Sequence, residues 1–138
     1  MSRLLVDTGF LVALFRPADR LRPEARDFLQ ANRQALHTVA PVLVETCFFL
    51  DARQKANLLE WVRRGALAVA EVPVSAYAAV SAVILKYADH DIDFADAALV
   101  WLAGESGTRA VLTVDETEFG IYRLKAGKRF DVVKWFRK

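Results

Sequence analysis

Short apolar runs alternate with segments of helical periodicity along this chain of 138 residues, and this alternation restricts the fold more than any other feature. Five runs have the length and composition of buried strands, and they lie at residues 3–6, 36–39, 67–72, 110–113 and 130–134. Strands that alternate with helices form a parallel sheet with helices on both faces. We therefore expect an α/β fold, a three-layer α/β/α sandwich around a mostly parallel sheet of about five strands.

The helices are predicted from apolar residues that recur every three or four positions. They lie at residues 10–15, 21–32, 41–53, 55–64, 73–88 and 94–106. Pro41 suits the first turn of the third helix, and Asp93 suits the N-cap of the last. Residues 116–128 are expected to form a turn and an irregular segment.

Length and composition indicate one domain, residues 1–138, with a core large enough to fold without disulfides. Apolar residues make up 54% of the chain and charged residues 26%, which excludes a disordered or collagen-like protein. Cys47 is the one cysteine, so an intramolecular disulfide and a cysteine-based zinc cluster are excluded. Because no apolar stretch approaches the roughly 18 residues of a membrane span, we expect a cytoplasmic protein without a membrane segment.

The small net charge of +2 hides two blocks of opposite sign. Residues 89–118 contain eight acids and one base, and residues 119–138 contain seven bases and one acid. The two blocks largely cancel, so the net charge alone says little about the partners of the protein.

Four acids stand where a parallel sheet would bring them together. Asp7 and Asp115 follow predicted strands directly, and ligands of such sheets bind beyond the carboxyl ends of the strands. Asp96 lies in the first turn of a helix, where the helix dipole favours a carboxylate. Glu45 lies among apolar neighbours and needs a partner or a cleft. Taken singly, Asp96 could only cap its helix, Asp115 could only form a turn, and Glu45 could only face solvent.

Clustered carboxylates without a cation repel one another, and a divalent ion neutralises them best. Oxygen ligands favour Mg²⁺ or Mn²⁺. Such ions bind phosphate oxygens and activate water in many nucleases and phosphatases. The sequence offers no glycine-rich phosphate loop, and His37 and His90 have no evident nucleophile partner. A metal site that acts on phosphate esters is therefore the leading interpretation.

Four short motifs resemble those of the PIN-domain ribonucleases, and they occur in the order and at the spacing of that family. They are LVDTG at residues 5–9, PVLVE at residues 41–45, DFADAAL at residues 93–99 and TVDETEF at residues 113–119. The resemblance extends over nearly the whole chain. It implies a parallel sheet between helices and a metal-dependent ribonuclease of the kind found in VapC-type toxins.

The resemblance also implies roles for individual residues. The acids that would bind Mg²⁺ or Mn²⁺ and carry catalysis are Asp7, Glu45, Asp96 and Asp115. Thr8 would orient the first acid or a metal-bound water, and Thr113 would supply a supporting hydroxyl. Asp93 stands where some members have a further acid, although it could be only an N-cap. Glu118 stands where many members have aspartate before phenylalanine, so its longer side chain would change the geometry.

Partners are implied by the same resemblance. Many small members are toxins of toxin–antitoxin pairs and form homodimers, so we expect an RNA substrate, a cognate antitoxin and a second copy of the chain. Basic residues near the C-terminus would bind the RNA backbone or an acidic antitoxin segment, with Lys125, Lys128 and Arg129 as candidates. They could equally form a solvated surface.

Two other interpretations remain open. The chain could be a Mg²⁺-dependent phosphatase or phosphotransferase with Asp7 as its nucleophile, although that chemistry typically needs a second acid where Gly9 stands. It could also be a non-catalytic binding module of PIN-like fold. The presence of all four acids argues against the module, because a degraded member should have lost at least one.

Overall fold

A computed structural model describes residues 3–137, apart from the side chain of Lys125. Five strands form one sheet in the order β3-β2-β1-β4-β5, and every neighbouring pair runs parallel. The strands are β1 (Arg3–Val6), β2 (Ala35–Val39), β3 (Ala68–Ala70), β4 (Ala110–Leu112) and β5 (Asp131–Val132). The predicted α/β sandwich around a parallel five-stranded sheet is therefore confirmed.

Seven α-helices flank the sheet within the described residues. They are α1 (Thr8–Phe15), α2 (Arg22–Ala31), α3 (Ala40–Cys47), α4 (Ala52–Arg63), α5 (Tyr77–Lys86), α6 (Phe94–Ser106) and α7 (Glu116–Ile121). None of the helices in this part of the chain is long and apolar enough to cross a membrane.

Two predicted elements differ from the structure. The helix expected over residues 41–53 ends at Cys47, because Asp51 starts a new helix with a capping box. In this box, the Gln54 backbone N–H donates to Asp51 Oδ1 at 2.8 Å, and the Asp51 backbone N–H donates to Gln54 Oε1 at 3.0 Å. The segment expected to be irregular contains α7, which begins where Asp115 Oδ1 accepts the Glu118 backbone N–H.

The core lies on both faces of the sheet. The central strand β1 contributes Leu4, Leu5 and Val6, each at most 1% exposed. Helix α6 is buried around most of its circumference, because alanines alternate with larger residues and let the helix approach α5, α3 and β2 closely. A helix that is apolar nearly all round belongs to an interior rather than a surface.

The strand order creates a crevice at one end of the sheet. Chain connections from β1 lead to β2 on one side, and β4 pairs with β1 on the other. The connections thus reverse direction between β1 and β4, and open parallel sheets bind ligands beyond the carboxyl ends of the strands at such a point. The residues that follow β1 and β4 are therefore positioned to form a site.

Candidate active site

Asp7 and Thr113 join the ends of the two central strands. The Asp7 backbone N–H donates to the Leu112 carbonyl at 3.0 Å, which continues the β1–β4 pairing by one residue. The buried Thr113 hydroxyl donates to Asp7 Oδ2 at 2.8 Å and accepts the Asp115 backbone N–H at 2.9 Å. One hydroxyl therefore fixes the Asp7 carboxylate and the backbone that carries Asp115.

The N-terminus of α6 brings two further acids to the same edge. Asp93 caps the helix, since its Oδ1 accepts the Asp96 backbone N–H at 2.8 Å. Asp96 is half-buried in the first turn, and its Oδ2 lies 3.4 Å from the Tyr122 hydroxyl. That distance is long for an O–H···O hydrogen bond, so Tyr122 restrains Asp96 only loosely.

Glu45 comes from α3, near the C-terminal end of the helix. Its side chain is half-buried rather than directed into open solvent. The charge of Asp93 and the hydroxyl of Thr8 both act on it. The cleft predicted for this carboxylate is thus present.

We use the term acidic cleft for the depression of about 720 Å³ at this edge of the sheet. Six carboxylates line it: Asp7, Asp19, Glu45, Asp93, Asp96 and Asp115. The rest of its lining includes Thr8, Arg20 and the two neighbouring rings of Phe48 and Phe49. The structure brings together all four acids predicted to form the site and the auxiliary candidate Asp93, and it adds Asp19.

Burial and mutual repulsion raise the pKa values of these acids. Burial is the main cause at Asp7, whose pKa rises to about 6, and the charges of Glu45 and Asp93 add to it. At Asp96 burial acts together with the charge of Asp7 and its neighbours, and the pKa rises to about 8. Burial also raises the pKa of Glu45, and the nearby Thr8 hydroxyl partly opposes this rise without forming a hydrogen bond of good geometry. Such shifts are common where carboxylates await a cation or a proton.

The residues fit a divalent cation in their chemistry. Asp7 Oδ1 and Thr8 Oγ1 are buried and have no hydrogen-bond partner among the described atoms, which is costly unless a ligand fills that role. All available donors are oxygens, as Mg²⁺ and Mn²⁺ prefer. Within residues 3–137, however, no three acidic, histidine or cysteine side chains are close enough to hold one ion directly. An ion here would keep part of its water shell, as Mg²⁺ usually does.

The other predicted site residues are placed differently. Glu118 lies in α7 with its Oε2 3.7 Å from His90 Nδ1, and it does not line the acidic cleft. Lys128 and Arg129 are exposed and precede β5, which runs parallel to β4. They lie at the amino edge of the sheet, whereas Asp7 and Asp115 lie at the carboxyl edge. The side chain of Lys125 lies outside the described part of the structure.

Two residues at the site had no signal in the sequence analysis. Tyr122 follows α7, the helix that was not predicted, and its contact with Asp96 spans 26 positions. Arg20 lies in the short connection between α1 and α2, which belongs to none of the four motifs. A correct prediction of α7 would have identified Tyr122 as a buried residue near the site, while Arg20 could be found only from the fold.

Fold and site together define a class: parallel α/β proteins with a carboxylate cluster between the two central strands. The PIN domain family model matches residues 4–125, and the chain belongs to the PIN domain family. The resemblance noted in the four motifs is thereby confirmed.

Individual relatives agree with this assignment. The chain is 29% identical over 135 residues to ribonuclease VapC26 of Mycobacterium tuberculosis, covering 94% of this chain and 99% of the relative. Two solved structures share the fold. One is M. tuberculosis VapC20, a sarcin–ricin loop cleaving toxin, with a TM-score of 0.69, 20% identity and coverage of 78% and 86% of the two chains. The other is a toxin–antitoxin complex from Klebsiella pneumoniae, with a TM-score of 0.64, 17% identity and coverage of 98% and 99%.

Proposed function

We propose that this protein is a metal-dependent endoribonuclease that uses Mg²⁺ or Mn²⁺ and acts as the toxin of a toxin–antitoxin pair. One observation carries the proposal: six carboxylates line a single cleft at the carboxyl edge of the sheet, and no cation among the described residues forms an ion pair with Asp7. The relative named ribonuclease VapC26 supports RNA as the substrate.

Asp7, Glu45, Asp96 and Asp115 would hold the ion. When bound, Mg²⁺ or Mn²⁺ stabilises charge on a phosphate and lowers the pKa of the water that attacks it. The chain itself positions the Asp7 carboxylate. The Thr113 hydroxyl binds Oδ2 of Asp7 and leaves Oδ1 free to face a ligand. Hydrolysis in this arrangement breaks the bond from phosphorus to the 3′ oxygen and leaves a 5′-phosphate, by analogy with the family.

The phosphotransferase alternative meets a steric obstacle. That mechanism needs an acid two residues after Asp7, where Gly9 stands. A Cβ at Gly9 would clash with the side chain of Val114, so a larger residue fits only if that side chain moves. The packing therefore favours Asp7 as a ligand rather than as one half of a phosphotransfer pair.

The proposed activity is tested by RNA cleavage with and without metal. Protein treated with EDTA is expected to leave single-stranded and structured RNA intact, and added Mn²⁺ or Mg²⁺ is expected to restore cleavage, because the acids repel one another until a cation binds. Gel analysis of end-labelled RNA gives the rate, and end mapping tests for a 5′-phosphate. Cleavage that persists in EDTA, or products that carry a 3′-phosphate, would contradict the mechanism.

The toxin role has its own readout in cells. Expression is expected to arrest growth, and a small protein encoded beside the gene is expected to relieve the arrest by binding the toxin. The toxin–antitoxin complex with the same fold supports such a partner. If cells grow normally while they express protein that cleaves RNA in vitro, the ribonuclease activity stands but the toxin role is contradicted.

We further propose that the chain forms a homodimer through an exposed apolar patch beside the acidic cleft. Val44, Phe48, Tyr77 and Phe94 line a second depression of about 500 Å³. Phe48 is 80% exposed, Val44 is 59% exposed and Tyr77 is 49% exposed. A cluster of this kind usually marks a contact with another protein.

The dimer is tested by measuring solution mass. Light scattering is expected to give twice the 15.5 kDa chain mass for the wild type, and one chain mass for Tyr77→Glu, because a charge cannot be buried in an apolar interface. Leu59→Glu is the matched control, since Leu59 is 54% exposed on α4 and does not line the depression. A monomeric wild type, or equal masses for the two variants, would contradict this interface.

A further inference from the structure

The acidic cleft contains a basic side chain, Arg20, which has no part in the proposed metal site. Among the residues that the structure describes, Arg20 is the one cation in the lining of this cleft. The side chain is exposed and forms no ion pair with any described carboxylate, although six line the same cleft. Arg20 is therefore free to bind an anionic ligand.

Hydrogen bonds and a buried neighbour hold the backbone around Arg20. The Asp19 backbone N–H donates to the Arg16 carbonyl at 2.9 Å, and Asp19 Oδ1 accepts the Leu21 backbone N–H at 2.9 Å. Leu21 is 5% exposed and anchors the turn in the core. A fixed turn with one unpaired guanidinium at a cleft costs less entropy on ligand binding than a flexible loop would.

An exposed aromatic ring lies in the same cleft. Phe49 follows α3, where its backbone N–H donates to the Thr46 carbonyl at 3.0 Å, and the residue is 52% exposed. It lines the acidic cleft and not the apolar patch, whereas Phe48 lines both. An exposed ring and a cationic side chain in one cleft are the combination that binds single-stranded nucleic acids, because the ring stacks on a base and the cation holds a phosphate.

We propose that Arg20 and Phe49 form a nucleotide subsite beside the scissile bond, in which Arg20 binds a backbone phosphate and Phe49 stacks on an unpaired base. This inference rests on the proposed ribonuclease function and narrows its substrate to RNA with an unpaired nucleotide next to the cut. Paired bases already stack on their neighbours, so the ring can reach only a base that has left the helix.

The charges in the cleft favour RNA over a protein segment as the occupant of this subsite. An acidic peptide would meet six carboxylates, and a basic peptide could pair with these acids but would leave Arg20 without an anion. A polynucleotide suits both the acids and Arg20. One phosphate could contact a cation held by the acids, and the next phosphate along the strand could contact Arg20. The base between them would then lie near Phe49.

The subsite is tested by RNA binding in an inactive background, so that binding is separated from cleavage. Asp96→Asn protein with Mg²⁺ is titrated with a labelled single-stranded RNA of about 12 nucleotides. Adding Phe49→Ala is expected to weaken binding about tenfold. Adding Arg20→Gln is expected to weaken binding and to reduce the slope of log K against log salt by about 0.7, the value for one lost phosphate contact on a single strand. Arg16→Gln, an exposed arginine on the same connection outside the cleft, is expected to change neither value.

An abasic RNA distinguishes stacking from general damage. Moving a single abasic site along the RNA is expected to locate one position at which Phe49→Ala causes no further loss of affinity. Equal losses at every position, or equal effects of Arg16→Gln and Arg20→Gln, would overturn the subsite. Loss of antitoxin binding with unchanged RNA binding would assign the surface to a protein and would also overturn the subsite.

Failure of the subsite can be distinguished from failure of the proposed function. If wild-type protein cleaves RNA while both variants bind RNA normally, the subsite is wrong and the proposed function stands. If the wild type neither binds nor cleaves RNA, the subsite and the proposed function are both wrong.

Discussion

Asp96→Asn is expected to remove RNA cleavage while it leaves the metal-free protein folded and more stable at neutral pH. The carboxylate is half-buried among acids, and its pKa of about 8 shows that its charge is poorly tolerated without a cation. Asparagine has nearly the same shape and removes that charge. Its side-chain oxygen can still face the Tyr122 hydroxyl, and its backbone N–H can still donate to Asp93.

The loss of activity is expected to be large because the same charge holds the cation. A metal ion contributes several kcal/mol to the transition state, and each 1.36 kcal/mol is a factor of ten, so a loss of about 1,000-fold is expected. Cleavage rates over a range of Mn²⁺ concentrations measure it, and thermal unfolding in EDTA measures stability. Asp27→Asn, an exposed acid on α2 outside the acidic cleft, is the matched control and is expected to retain full activity.

Opposite changes in activity and stability separate a functional acid from a structural one. If Asp96 only capped or braced α6, its replacement would lower stability and reduce activity in proportion. Undiminished cleavage by Asp96→Asn would contradict the mechanism. A melting temperature in EDTA below that of the wild type would contradict the electrostatic account of the cleft.

Much of this site could be predicted because its acids are tied to local features. Asp7 and Asp115 follow apolar strands, and parallel strands end at one edge of a sheet. Asp96 lies in the first turn of a helix with a clear N-cap. The position of each of these three acids follows from a short stretch of sequence and from the strand order, so it can be predicted without knowledge of distant contacts.

The remaining parts depend on contacts that local patterns do not encode. Arg20 lines the cleft only because the α1–α2 connection forms part of the cleft wall. The Tyr122 hydroxyl reaches Asp96 only because α7 forms, and α7 is too short for a clear periodicity. The acidic block (residues 89–118) and the basic block (residues 119–138) are adjacent in sequence, but this does not predict that they are adjacent in space. The chain runs from Asp115 at the carboxyl edge of the sheet back to the amino edge before β5 begins. Arg129 is therefore far from the acids along the strand direction, despite its position just after them in sequence.

Metal-free protein is expected to lose stability as the pH rises from about 4 to about 8. In the folded state Asp7 and Asp96 hold protons up to pH values of about 6 and about 8, whereas in the unfolded state they release them near 3.8. Between these values the folded state binds more protons than the unfolded state. The derivative of the unfolding free energy with respect to pH is then negative, so the folded state becomes less stable as the pH rises.

Divalent ions are expected to reverse this trend, because they bind the deprotonated acids and compete with protons. At saturation of about 100 times the dissociation constant, the ion adds about 2.7 kcal/mol, or roughly 10 °C in melting temperature for a chain of this size. Thermal unfolding in EDTA and in Mn²⁺, near pH 5 and near pH 8, measures the effect. The shift caused by Mn²⁺ should be large near pH 8, small near pH 5, and reduced at both by Asp96→Asn. A shift independent of pH would show that the ion binds outside the acidic cleft, because an ion bound there competes with the protons that Asp7 and Asp96 lose across this range.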